Sequence, residues 1–195
     1  FVALQAIYFE TGLAFNIATQ LLSVSWAAVL GLFMVVGWLA THIAKTSRNK
    51  FSQYFALTLY ILLQSIIFVP MLFIASNMAK ANIISEAGAL TVTGFLALSA
   101  YVYITKKDFS FLRSILVWIG ILAGLLIFSG IFFGFNLGTY FSIGMVGLAG
   151  AAILYDTSNV LHHYKSDQYV SASLQLFASV ALMFWYILQI YMSRD

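Results

Sequence analysis

Asp156, Asn159 and His163 carry the most suggestive chemistry in this chain, because steps of three and seven residues return to nearly the same side of a helix. Tyr155 and Ser158 are close enough in sequence to add further oxygens. Such a group could take a cation or relay a proton, with ionisation of Asp156 gating a pore. The same residues suit a structural role: a buried carboxyl, neutral or satisfied by Gln175, Gln189 or a tyrosine, that ties helices together. Spacing supports both readings equally.

Two more acids adjoin apolar stretches. Glu86 opens one of them, where the positive end of a helix dipole favours a carboxylate, so its place has a structural explanation first. Its functional reading is the outer mouth of a pathway. Glu10 falls midway along the first apolar stretch, where capping does not explain it. Asp108 and Asp167 lie in basic loops and are expected to be solvated. His162 and His163, with Lys165 and Asp167, form a polar knuckle that could sense pH. Neighbouring histidines project about 100° apart on a helix and make a poor metal pair, so a solvated interfacial pair is the simpler expectation. His42 reads as a helix-end residue.

What must position these groups is fixed by composition. Of 195 residues, 63% are hydrophobic and 8% charged, with one proline and no cysteine. A soluble fold of this length could not hide that much apolar surface. Soluble enzymes, disordered tails and disulfide-rich modules are thereby excluded, and an integral membrane protein remains. The absence of cysteine removes disulfides, thiolate catalysis and cysteine-metal sites.

No Asp, Glu, Lys or Arg occurs between Glu10 and Lys45, nor within 51–79, 87–105, 114–155 or 168–193. Each stretch reaches the ~18–20 residues that span a hydrocarbon core of about 30 Å. The runs are continuous rather than alternating, which predicts helices and not a barrel. The 114–155 stretch divides at Phe133-Gly134-Phe135-Asn136-Leu137-Gly138, and the first stretch divides near Ser23-Val24-Ser25-Trp26. Seven spans follow, at 1–22, 25–44, 51–76, 84–104, 111–133, 138–161 and 170–191. They form one membrane domain over 1–195, without a repeat. Pro70 should kink the third helix, because proline removes a backbone donor. Asp156 then lies about five residues before a loop, roughly 8 Å deep at 1.5 Å per residue. Since the chain starts with Phe1 inside an apolar segment, a natural N-terminal tail is expected to be missing.

Basic residues orient the bundle. Lys45, Arg48, Lys50, Lys106, Lys107, Arg113 and Lys165 gather on one side, against Lys80 and Arg194 on the other. The richer side is expected to be cytoplasmic, with the N-terminus inside and Ser193-Arg194-Asp195 outside. The net charge of +3 belongs to these loops and is no nucleic-acid footprint. Trp26, Trp118, Tyr54, Tyr101 and Tyr103 could anchor at the interface or simply pack. Phosphate loops, HExxH and nucleophile elbows are absent, and one deep acid does not make an intramembrane protease. An enzyme is not expected.

The run Thr105-Lys106-Lys107-Asp108-Phe109-Ser110-Phe111-Leu112, followed by Ile153-Leu154-Tyr155-Asp156-Thr157-Ser158-Asn159, resembles the Bax inhibitor family. Asp156-Thr157-Ser158-Asn159-Val160-Leu161-His162 and the terminal Ser193-Arg194-Asp195 look like its bacterial branch, which contains the modulator of the FtsH protease. The resemblance covers nearly the whole chain. It implies an all-α bundle with six helices around a central one, and a pH-sensitive calcium leak across the membrane. In that scheme two aspartates on the last two helices share a proton, and an arginine on the second helix locks the closed state. Asp156 matches the first aspartate by its Leu-Tyr-Asp context. The second should follow a run corresponding to Ser173-Leu174-Gln175-Leu176, where this chain has Phe177. The arginine falls near Thr46-Ser47-Arg48, where Arg48 could substitute.

The missing acid has physical consequences. Two close carboxylates raise one another's pKa and make a proton switch, which a lone Asp156 loses. Calcium takes six to eight oxygens, which one carboxylate and neutral groups provide poorly. Weight moves toward a protein-partner role, on an FtsH-like membrane protease or a larger envelope complex. The expectation is therefore a non-enzymatic regulator of the bacterial inner membrane, needing no cofactor. Its two mechanisms are a cation or calcium leak involving Asp156, Glu86, Asn159, Gln175 and Arg48, or modulation of proteolysis.

Overall fold

The computed structural model describes residues 1–23, 37, 39–43, 49–78, 82–134, 137–165 and 168–193. The helices with described bounds are α1 (Val2–Glu10), α2 (Leu13–Ser23), α3 (Lys50–Ser76), α4 (Ile83–Thr105), α5 (Leu112–Phe133), α6 (Gly138–His162) and α7 (Tyr169–Met192). Residues 37 and 39–43 are helical as well, and no strand occurs among the described residues. The architecture is all-α. Contacts divide the chain into two units, Phe1–Ala81 and Asn82–Asp195.

Five of these helices, α3 to α7, are long and apolar enough to cross a membrane. The helix expected over 1–22 is corrected in its continuity. A single helix over 1–22 does not form, because Gly12 takes a left-handed conformation at φ +75° and separates two helices of nine and eleven residues. Glycine reaches that region without the Cβ penalty that other residues meet. The break is closed by the backbone N–H and the hydroxyl of Thr11, both donating to the carbonyl of Ile7. Neither half is long enough to span by itself. Glu10, expected mid-helix, is the last residue of α1 and is exposed. Most of the second expected span, with Trp26 and Arg48, lies outside the described residues.

In the first unit, α1 and α2 lie along α3. Ala14, Ala18 and Val69 are buried together, with Tyr8, Phe9, Ile17 and Phe73 packed around them. The Phe1 and Phe68 rings meet edge to face at 5.1 Å. Gln5 ties the contact by donating its Nε2 to the backbone carbonyl of Ser65 at 2.7 Å. Asn49 caps α3 by accepting from the Phe51 N–H at 3.0 Å. The helix continues through Pro70 to Ser76, although proline offers no N–H to the carbonyl four residues earlier, at Ile66.

In the second unit, α7 packs against both α4 and α6, and α6 also carries α5. Half of the apolar stretch of α7 is buried, against 6% of the corresponding stretch of α5. Helix α5 buries only Ala123 and exposes Ile115, Trp118, Leu122, Leu125 and Phe132, an apolar surface suited to lipid. The turn expected between 133 and 138 is present: α5 ends on left-handed Gly134 and α6 begins at Gly138, also at positive φ.

Candidate functional site: the α6–α7 seam

Helices α6 and α7 run antiparallel, and polar side chains meet toward both ends of their facing surfaces. Asp156 on α6 is 7% exposed and points at α7, where the Ser179 hydroxyl donates to its Oδ2 at 2.5 Å. That is the short end of the range for a hydroxyl on a carboxylate. One turn earlier on α7, the side-chain carbonyl of Gln175 accepts from the Tyr164 hydroxyl at 2.5 Å. One turn before that lies Ser171, fully buried. Ser171, Gln175 and Ser179 thus form a polar stripe at four-residue steps along a mostly apolar helix. Asn159 is buried one turn past Asp156, and its backbone carbonyl accepts from the N–H groups of His163 and Tyr164 to end α6. Burial raises the Tyr164 phenol above its ordinary value of 10.0, and the nearby Asp156 charge acts in the same direction. Tyr164 therefore stays a neutral donor at ordinary pH.

A second cluster forms where the α4–α5 loop meets α6. The Ser110 N–H donates to Asp108 Oδ1 at 2.8 Å, and the Ser158 hydroxyl approaches the same oxygen at 3.4 Å. The Phe109 N–H donates to Ser158 Oγ at 2.9 Å, and His163 Nε2 lies 3.3 Å from Asp108 Oδ2. The backbone N–H of Ser110, more than any other contact, holds the Asp108 carboxyl below its ordinary value, and His163 acts the same way. Asp108 is half-exposed, so it is solvated as expected, but it also pins the loop to α6. A further bridge joins the Ser99 and Thr157 hydroxyls of α4 and α6 at 3.3 Å.

The residues singled out by sequence are thus partly assembled. Asp156, Asn159 and Gln175 lie along the same end of the seam. Ser158 and His163 instead turn to the loop, and Gln189 bonds Ser142 rather than Asp156. Glu86 is exposed in the first turn of α4, thirteen residues and about 20 Å along the helix from Ser99. Arg48 lies outside the described residues. Sequence reading missed Ser179. The run carrying the resemblance placed Phe177 where a second acid was due, whereas the residue across from Asp156 is Ser179, and only the four-residue stripe with Ser171 and Gln175 could have signalled it. Among the described residues, no group of three His, Cys, Asp or Glu could hold a metal ion.

Long apolar helices, an α5 face suited to lipid and polar side chains paired across spans define a multi-pass α-helical membrane protein. The family profile described as "Inhibitor of apoptosis-promoting Bax1" matches residues 1–195, and the chain belongs to that Bax inhibitor family. It is 35% identical over 114 residues to Bax inhibitor 1 of Schizosaccharomyces pombe, covering 57% of this chain and 42% of that protein. It is 33% identical over 117 residues to the Golgi anti-apoptotic protein of Vaccinia virus strain Lister, covering 56% and 46%. An uncharacterized membrane protein of Vibrio cholerae is 34% identical over 127 residues, covering 62% and 55%. The chain spans about half the length of the curated relatives it matches.

Proposed function

We propose that this chain is a non-enzymatic membrane regulator that passes cations, calcium among them, through a pH-sensitive pathway in which Asp156 is the ionisable element. The observation that carries this reading is an acid buried within a candidate span and held by a hydroxyl from the next helix. An ionisable side chain there costs about 2.5–3.5 kcal/mol on insertion scales, which a functional role would offset. Asn159, Gln175 and Ser179 supply neutral oxygens beside it, and Glu86 would stand at the outer mouth. Calcium is cargo here and needs only weak, passing ligation, which one carboxylate and neutral oxygens can provide; a resident calcium site needs six to eight. The resemblance to the bacterial branch suggests a bacterial inner membrane, and the bias of basic residues suggests a cytoplasmic N-terminus.

Calcium flux into proteoliposomes, compared at about pH 6 and about pH 8, tests the proposal. Native protein should conduct differently at the two values, and Asp156→Asn should remove the difference. A native protein that conducts at neither pH ends the leak reading. A second reading is favoured by the neutral hydroxyl of Ser179, rather than a second acid, standing across from Asp156: restraint of an FtsH-like membrane protease through helix contacts. Co-purification of that protease with the intact protein, together with slowed substrate turnover, is its measurement.

A further inference from the structure

The seam between α6 and α7 is polar at both ends and apolar between them. At one end stand Asp156 and Ser179; at the other, the Ser142 hydroxyl donates to Gln189 Oε1 at 3.2 Å and the Thr139 and Ser193 hydroxyls meet at 3.0 Å. Between the two, Ala149 and Ile153 of α6 are wholly buried. Met183 of α7, 5% exposed, lies four residues past Ser179, about 6 Å further along the helix. Two glycines from different helices face it. A Cβ on Gly94 of α4 would lie 3.4 Å from Met183 Sδ, and one on Gly150 of α6 would lie 3.7 Å from its Cε and 3.4 Å from Leu98 Cδ1. Two helices thus withhold side chains at one level, and one flexible thioether fills the notch.

Methionine suits that place physically. Its unbranched chain adapts to an irregular gap, and its sulfur offers water almost no hydrogen bond. An apolar constriction of this kind blocks passage by excluding water rather than by charge. We propose that Met183 is the apolar seal of the bundle, seated in the Gly94–Gly150 notch, and that it divides the Asp156–Ser179 pair from the Ser142–Gln189 pair so that each is wetted from a different face of the membrane. This deepens the leak reading, resting on it only in treating Asp156 as part of a pathway that water enters.

The chain has no cysteine, so single thiols can be placed without background. In sealed, oriented proteoliposomes, Ser179→Cys and Ser142→Cys are treated with a membrane-impermeant thiol reagent from either face. Each thiol should react from one face only, and the two from opposite faces. Adding Met183→Ala should open Ser179→Cys to the second face, with a labelling rate at least about tenfold above native background, whereas Met183→Leu should leave it closed. Labelling of both single thiols from the same face, or of Ser179→Cys from both faces with Met183 present, overturns the proposal. So does one-sided labelling in a Met183→Ala protein of native helicity and elution. Should that variant not fold, the two single-cysteine proteins still decide. Flux is read separately, in matching vesicles of the native protein: opposite-face labelling without native calcium flux removes the leak and keeps the seal, and native flux with same-face labelling does the reverse.

Discussion

Replacing Ser179 by alanine deletes one hydroxyl from a contact in which both partners are more than nine-tenths buried and 2.5 Å apart. A hydrogen bond to a charged group contributes about 1.5–3 kcal/mol in proteins generally. Side-chain pairs between membrane helices contribute less, about 0.6 kcal/mol on average and about 1.7 at most, because the unfolded chain in lipid also finds partners. A short bond to a carboxylate belongs at the top of that lower range, so Ser179→Ala should cost about 1–2 kcal/mol. That is roughly a five- to thirtyfold shift in the unfolding equilibrium. Truncation alone would not show where the cost arises, so the measurement is a double-mutant cycle with Asp156→Ala, read by reversible unfolding in micelles. The coupling should be about 1 kcal/mol or more. A coupling under about 0.3 kcal/mol would mean that the two groups do not interact in the folded protein, and the site as described would be wrong.

Three further outcomes follow from the same geometry. Gly12→Ala should destabilise by about 1–2 kcal/mol through backbone strain alone, since no atom lies within 4 Å of the added Cβ; Gly12→Asn, which tolerates positive φ, should cost less in thermal unfolding. The lowered folded pKa of Asp108 stabilises the loop above its ordinary value of 3.8 and ceases to do so as pH falls through the folded one; amide exchange at Phe109 and Ser110 should therefore quicken only in acid, and Asp108→Asn should remove that dependence. Ala149→Leu should overpack the seam by about 1–3 kcal/mol while Phe132→Ala, at a position 79% exposed, leaves the unfolding midpoint almost unchanged; equal effects would contradict the described packing.

Apolar content and charge-free runs determined by themselves that the chain is helical and lies in a membrane, because only helices and closed barrels satisfy backbone polar groups in hydrocarbon and a barrel strand would alternate in polarity. They also marked the 133–138 turn, whose glycines are local signals. The break at Gly12 was not legible: one glycine within an apolar run is compatible with a continuing helix, and only its φ shows that the helix stops. Asp156 stood out because an acid is costly in an apolar setting, a property of the residue itself. Its partner did not, since serine is unremarkable in a span and 23 residues separate the two. Antiparallel register decided that Ser179 rather than Phe177 meets Asp156, and that Ser158 and His163 turn to the loop. Register is set by how whole helix faces pack, and that is information the linear order of residues does not carry.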